Sequence, residues 1–257
     1  MALGYHIRLR LVDDGPITRS AEERRTVARV VLEQGRDKDL LGFGLGDNHL
    51  HAETAASEPT ARELGRRIAL SLGHHLPLKV GFTRAYLKPI EDGRHLYNCF
   101  RYVLGQDLHH GLEADPLREG TNLPDLLGAR VLGQYTAANV RRLLPRITRE
   151  DLLQLLGLES LGPIDGPLDW LVGATLRAAG LADLTGRRPG VVAARQAVVR
   201  LVGLRKTAEQ LARELKVGVR TVHRMRDQEA DHRLVWAILL QLDIERQLGS
   251  AVGWPSY

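Results

Sequence analysis

Gly46-Asp47-Asn48-His49-Leu50-His51-Ala52-Glu53 is the stretch of sequence around which the rest of the chain is organised. The apolar, glycine-rich residues 40–45 precede it, so the two segments predict a β-hairpin that turns at Gly46-Asp47. Residues two apart on a strand face the same side, with Cα atoms roughly 6–7 Å apart. His49 and His51 are therefore predicted to point together and to be able to hold one metal ion. Two histidines at this spacing are, taken alone, more often surface or packing residues.

The composition is that of an ordinary folded protein. The chain has 257 residues, of which 44% are hydrophobic and 26% charged, which is enough for one large domain or two smaller ones. No apolar run reaches the roughly 18–20 residues of a membrane span, and the N-terminus lacks the pattern of a signal peptide. Cys99 is the single cysteine, which excludes an intrachain disulfide and favours a reducing cytoplasm. The net charge of +5 is compatible with a nucleic-acid partner and does not prove one.

The first half of the chain alternates between patterns typical of strands and of helices. Residues 6–12 alternate polar and apolar side chains, and Ser20 with Glu23 forms a capping-box pattern before an amphipathic segment. The predicted order is β-α-β-β-α-β-α, which indicates a sheet with helices packed on it. The predicted segments are strands at 6–12, 40–45, 48–54 and 79–87, the last closed by Lys88-Pro89, and helices at about 20–34, 59–72 and 92–108.

The last of these helices carries Tyr102 and Gln106, which share a helix face because they are four residues apart. Two imidazoles and one amide oxygen would leave open positions on a divalent cation, a shell that suits Mg²⁺ or Mn²⁺ without excluding Zn²⁺. Tyr102 is alternatively a core residue. Tyr97 is its main rival as a nucleophile, but the residue four positions after it is Arg101, which does not bind cations.

These residues resemble the single-tyrosine HUH transposases, and especially the REP-associated tyrosine transposases. Members of that family carry a His–hydrophobic–His strand motif, matched by Asn48-His49-Leu50-His51, and a tyrosine followed four residues later by Asn or Gln, matched by Tyr102-Val103-Leu104-Gly105-Gln106. The resemblance covers roughly residues 5–113. Gly46-Asp47 departs from the Met-Pro that the family commonly has, and residues 107–110 differ from the usual sequence after the tyrosine.

The resemblance implies a ferredoxin-like HUH domain in which a tyrosine attacks single-stranded, and in some members hairpin, DNA. It implies Tyr102 as the nucleophile that forms a 5′-phosphotyrosine link, and His49, His51 and Gln106 as ligands of Mg²⁺ or Mn²⁺. A homodimer is compatible with it, since some relatives share active sites between two chains. The alternatives are a non-catalytic DNA-binding regulator derived from a transposase and a replication- or relaxase-type nicking protein.

The rest of the chain reads as helical. The predicted helices lie at 124–132, 136–143, 148–156, 168–179, 191–202, 207–215, 220–226 and 234–248. Residues 207–224 resemble a helix-turn-helix, a motif whose second helix enters the major groove. Its predicted DNA contacts are Arg205, Lys206, Arg220, Thr221, His223 and Arg224, and a plain three-helix bundle is the alternative. The predicted class is α+β, with an HUH domain at 1–115, a helical connector at 116–190 and a helix-turn-helix domain at 191–257.

Overall fold

The computed structural model of the chain describes residues 2–106, 115, 117–164 and 168–251, without the side chains of 168, 169 and 249–251. It divides into two compact units. Unit 1 comprises residues 1–127 and 132–160, and unit 2 comprises residues 128–131 and 161–257. The division at 115 and 190 that the sequence indicates stays a prediction. Within the described ranges, no helix combines the length and hydropathy needed to cross a lipid bilayer.

Unit 1 is built on a four-stranded antiparallel sheet, which confirms the predicted α+β class. The strands are β1 (Gly4–Arg10), β2 (Leu40–Leu45), β3 (His49–Thr54) and β4 (Tyr86–Ile90). Their order across the sheet is β2-β3-β1-β4. The β2–β3 hairpin closes as predicted, with the Gly46 amide donating to the His49 carbonyl at 2.8 Å.

Two helices cover one face of the sheet and form the main core with it. They are α1 (Ala21–Gly35) and α2 (Glu58–His75). The Ser20 hydroxyl caps α1 by accepting from the Glu23 amide, as the sequence predicts. Because side chains alternate along each strand, the buried Ile7, Leu9 and Leu50 all point to this face. The other face is thereby left to the alternate residues, which include both histidines of the H-x-H pair.

Helix α3 (Gly93–Leu104) packs on that second face, against β2 and β3. Asp92 caps it by accepting from the His95 amide at 2.7 Å. Glycine at 44 is required here, since a Cβ atom at that position would lie 1.9 Å from the Val103 carbonyl oxygen. The backbone of α3 therefore approaches the sheet closely at its C-terminal end. Residues 107–114, in which the sequence predicts the end of this helix, lie outside the described residues.

Two predicted segments of unit 1 are wrong in extent. The fourth strand begins at Tyr86 and not at Lys79, and it continues through Pro89, which pairs with Tyr5. Proline is tolerated there because β4 is an edge strand, where one side of the backbone needs no hydrogen bond. The helix predicted at 124–132 is the short α4 (Leu123–Leu126), which stops before Gly128, a residue in the left-handed region at φ 82°.

Unit 1 is completed by α5 (Gln134–Leu143) and α6 (Arg149–Leu156). The buried Asn122 fastens this segment to the sheet, since its side chain accepts from the Phe43 amide at 3.0 Å and donates to the Leu41 carbonyl at 2.9 Å. Thr148 and Asp151 form the predicted capping box of α6. Part of the predicted connector therefore belongs to the packing of unit 1.

Unit 2 is helical throughout its described residues. It contains α7 (Leu168–Ala179), α8 (Pro189–Val202), α9 (Ala208–Glu214), α10 (Val219–Asp227) and α11 (His232–Ala251). Thr207 and Gln210 form a capping box at the start of α9. At its end, the Val217 amide donates to the Ala212 carbonyl at 2.9 Å and Lys216 adopts φ 50°, a Schellman arrangement that usually employs glycine. A four-residue connection thus joins α9 to α10, which packs on both α9 and α8.

Candidate active site

Strand β3 presents the two histidines on the face that α3 covers. Their ring centroids are 4.6 Å apart and the ring planes are nearly perpendicular, at 83°. His51 is buried, at 3% exposure, and His49 is partly buried. The alternation of β3 therefore produces the pairing that the H-x-H spacing predicts, with the intervening Leu50 in the core on the opposite face.

Helix α3 and the residues just after it bring Gln106 and Tyr102 to the same place. The fully buried Gln106 amide nitrogen donates to the Tyr102 carbonyl at 2.9 Å, which turns its Oε1 towards the sheet. That oxygen lies 3.2 Å from His49 Nε2. The Tyr102 ring packs edge-on to His51 with a centroid separation of 5.4 Å, and the side chain remains 36% exposed. The four residues predicted from the two motifs are thus adjacent, although they are up to 57 positions apart in sequence.

The donor atoms of this cluster are compatible with a bound cation. Asn48 Oδ1 lies 2.7 Å from His49 Nδ1, and an amide oxygen only accepts, so Nδ1 carries a proton and, in the neutral ring, Nε2 carries the lone pair. His49 Nε2 therefore faces another acceptor, Gln106 Oε1, an arrangement that a shared cation stabilises. Among the described residues, no group of three or more His, Cys, Asp or Glu side chains is placed to hold a metal, so an amide oxygen would complete this set.

His6 of β1 belongs to the cluster and was not predicted from the sequence. Its Nε2 lies 2.6 Å from His51 Nδ1, and the two rings stack at 4.7 Å with 28° between their planes. It also meets the Tyr102 ring edge-on at 6.1 Å. Burial, reinforced by the nearby charges of Lys88 and Arg8, lowers the pKa of His6 to about 4. The alternating pattern of residues 6–12 places His6 on one face of a strand, but this pattern alone does not predict a functional role for it.

Glu53 is a buried acidic residue next to the histidine pair. It follows His51 by two residues on the same strand face and is fully buried. Neither carboxylate oxygen has a hydrogen-bond partner among the residues that the structure describes. Burial raises the pKa of Glu53 well above its usual value, so the side chain is held as a neutral acid.

Tyr97, the rival to Tyr102, occupies a different environment. Its ring lies 5.8 Å from the Arg101 guanidinium, which also donates to the Tyr97 hydroxyl at 3.5 Å. The described ring contacts of the histidine pair involve Tyr102 and His6. The structure therefore brings Tyr102, and not Tyr97, to the histidines.

The residues predicted to contact DNA in unit 2 fall into two sets. Arg205 donates to the carbonyls of Leu201 and Val202 at the end of α8, and Lys206 forms an ion pair with Glu214. The α10 residues instead face outwards around the buried Val222 and Met225. The exposed members are Arg220, His223 and Arg224, with Thr221 partly buried. The second set lies on the outer side of α10, whereas the first set, predicted to contact the DNA backbone, is held by contacts within unit 2.

The chain matches no family model, and comparison with curated proteins and with solved structures gives no significant match. The resemblance to single-tyrosine HUH transposases therefore rests on the two motifs and on the geometry described above.

Proposed function

We propose that this protein is a metal-dependent DNA strand transferase of the single-tyrosine HUH type, which cleaves and rejoins single-stranded or hairpin DNA. The observation that carries the proposal is the convergence of His49, His51, Gln106 and Tyr102. Two elements far apart in sequence place two imidazoles, an amide oxygen and a partly exposed phenol side by side. A buried cluster of this kind has no evident role in packing, whereas it suits phosphodiester chemistry.

The topology of unit 1 supports the same proposal. The β-α-β-β-α-β-α succession and the strand order β2-β3-β1-β4 are those expected of a ferredoxin-like sheet. In this order β3 is a central strand, flanked by β2 and β1. The histidines consequently have a neighbouring strand on each side, and α3 lies over the face from which they project.

The chemistry follows from the groups present. His49, His51 and Gln106 would hold the divalent ion, which supplies Lewis-acid polarisation of the scissile phosphate when bound. Tyr102, which is partly exposed, gives its phenolic proton to solvent, and its oxygen forms a bond to phosphorus. The bond from phosphorus to the 3′ oxygen breaks, and that oxygen leaves as a 3′-OH after taking up a proton. Attack by the 3′-OH of another strand reverses these events and rejoins the DNA.

Two neighbouring side chains would orient the histidines for this work. Asn48 fixes the proton of His49 on Nδ1, so Nε2 is the atom that faces Gln106. His6 holds the His51 ring in place through the 2.6 Å contact between His6 Nε2 and His51 Nδ1. Hydrogen bonds of this kind set the tautomer of histidine ligands and their orientation. In unit 2, α9 and α10 would act as a helix-turn-helix that grips the target site.

The test is incubation of the full chain with 5′- and 3′-labelled single-stranded DNA and Mn²⁺. We expect a covalent protein–DNA adduct that persists in Tyr97→Phe and is absent in Tyr102→Phe, two variants on the same helix. His49→Ala should lose the adduct while DNA binding is largely kept. DNA binding without any adduct would instead support a non-catalytic regulator, and an adduct retained by Tyr102→Phe would refute the proposed nucleophile.

A further inference from the structure

The face of the sheet that carries the histidines is not fully covered by α3. Strands β1 and β4 continue it beyond the site, and cross-strand register aligns Arg8 with both His51 and Tyr86, and His6 with Lys88. Residues directly opposite each other in an antiparallel pair point to the same face. Arg8 and Lys88 are exposed, and Tyr86 is 55% exposed. We call these three residues the β1–β4 surface.

The β1–β4 surface adjoins the candidate active site directly. Arg8 is the direct cross-strand partner of His51, and Lys88 is the partner of His6, which contacts both His51 and Tyr102. The charges of Lys88 and Arg8 both act on the His6 ring. A ligand that reached the Tyr102 hydroxyl from this side would therefore lie over Arg8, Tyr86 and Lys88.

Among the residues that the structure describes, no carboxylate forms a salt bridge with the positive charges of this surface. Within the described residues, neither Arg8 nor Lys88 takes part in a salt bridge, and the Arg8 guanidinium lies 5.1 Å over the Tyr86 ring. Exposed arginines on α2 behave differently, since Arg62 pairs with Glu58 and Arg66 with Glu63. Two cations without a described salt bridge, next to an exposed aromatic ring, match a ligand that carries both phosphates and flat, unpaired bases.

We infer that the β1–β4 surface binds the single-stranded DNA segment next to the phosphate that Tyr102 attacks. Arg8 and Lys88 contact backbone phosphates, and the Tyr86–Arg8 pair provides a platform on which one base stacks. The inference rests on the proposed function and adds the strand's path to it. Because the bases of a duplex are already stacked on one another, this surface selects an unpaired strand.

Binding is measured on the full chain carrying Tyr102→Phe, so that no covalent product forms, by fluorescence anisotropy with a labelled oligonucleotide and its duplex. We expect Tyr86→Ala to weaken single-strand binding by about 5- to 150-fold, the range for loss of one stacked base. Tyr86→Phe, which keeps the ring, should bind like the parent. Arg8→Ala and Lys88→Ala should each lower the slope of log affinity against log salt by about 1.

Arg66→Ala is the matched control, since it removes an exposed arginine from the other side of the sheet and should change binding by less than about twofold. Equal binding by Tyr86→Ala and the parent would overturn the inference, as would an equal loss in Arg66→Ala or in duplex binding. The wild-type protein, which retains Tyr102, is assayed in parallel for adduct formation. If the wild-type protein forms the adduct and Tyr86→Ala leaves binding unchanged, only the role of the β1–β4 surface is refuted. If the wild-type protein forms no adduct and does not bind single-stranded DNA, the proposed function is refuted.

Discussion

The short contact between His6 and His51 engages Nδ1 of His51, so Nε2 is the nitrogen of His51 that a metal would bind. One proton is shared between His6 Nε2 and His51 Nδ1, 2.6 Å apart. His6 is held neutral, because its pKa is lowered to about 4 chiefly by burial. A neutral His6 that accepts at Nε2 leaves His51 protonated at Nδ1, and His51 Nε2 then has the lone pair that a metal requires.

His6→Ala should therefore lower the affinity of the protein for Mn²⁺ by about 10- to 100-fold, the range for loss of a partner that orients a histidine ligand. Isothermal titration calorimetry measures this without DNA. His6→Gln retains an acceptor and should recover part of the affinity. His95→Ala, which removes a histidine near His6 on α3, serves as the control. Unchanged Mn²⁺ affinity in His6→Ala would show that His6 does not position His51.

Glu53 should make stability depend on pH. Its folded-state pKa is raised by burial above the ordinary value of 4.5, so the folded protein binds more protons than the unfolded chain above that value. Stability is then lost as pH rises from about 4.5 towards the folded-state pKa, by at most about 1.4 kcal/mol per pH unit. Glu53→Gln removes the titration, so its stability relative to the parent should increase between pH 5 and pH 8 in urea denaturation. A constant difference between the two proteins across this range would contradict the assignment.

The residues of the candidate site differ in whether their place in it can be predicted from the sequence. His49, His51, Tyr102 and Gln106 were predicted because each belongs to a spacing that encodes a shared face, two residues on a strand or four on a helix. His6 was missed because its contact with His51 arises from pairing between strands that are 45 residues apart. A spacing rule within one element carries no information on which residue of another strand will lie opposite.

At the level of elements, the site depends on how closely α3 can approach β2. Gly44→Ala would place a Cβ atom 1.9 Å from the Val103 carbonyl oxygen, so the helix must move away from the sheet. We expect a loss of about 1–3 kcal/mol in the free energy of unfolding, together with loss of the DNA adduct. Gly73→Ala on α2 is the matched control, since its Cβ meets no atom within 4 Å.

The Gly73→Ala control should stabilise the protein by about 0.5–1 kcal/mol, because alanine is the better helix former. Thermal denaturation of the two variants beside the parent measures both effects. Wild-type stability in Gly44→Ala would mean that the helix does not lie as close to the sheet as described.

Local sequence patterns predict best those helices whose first residues carry a capping side chain. Ser20, Asp92 and Thr148 cap helices that begin where the sequence places them. Strand β4 was misplaced because its pairing with β1, and not its own pattern, decides where it starts. Pro89 looked like a terminator, whereas an edge strand accommodates it.

For the whole molecule, we expect the exposed positive charges of the two units to contact DNA in two ways, single-stranded DNA at unit 1 and duplex DNA at unit 2. Unit 2 exposes Arg220 and Arg224 on α10, and these arginines form no ion pair within the described residues. The double variant Arg220→Ala/Arg224→Ala should bind duplex DNA about tenfold or more weakly, with a salt slope smaller by about 2. Adduct formation on a short single strand should be unchanged.

Arg246→Ala is the control for this double variant, because Arg246 is an arginine of the same unit that is paired with Asp243. Electrophoretic mobility shifts at several salt concentrations give both affinity and slope. Equal duplex binding by the parent and the double variant would exclude α10 as a recognition helix and favour a plain helical bundle. The two-unit division itself was not predictable, since residues 128–131 join unit 2 through contacts distant in sequence.

The most direct measurement is mass spectrometry of the protein–DNA adduct after nuclease and trypsin digestion. Trypsin cuts after Arg94 and Arg101, so Tyr97 lies in peptide 95–101 and Tyr102 begins peptide 102–118. We expect the nucleotide remnant on peptide 102–118, joined through its 5′ phosphate to Tyr102. A remnant on peptide 95–101, or a 3′ linkage, would contradict the central claim that the Tyr102 oxygen is the nucleophile beside His49 and His51.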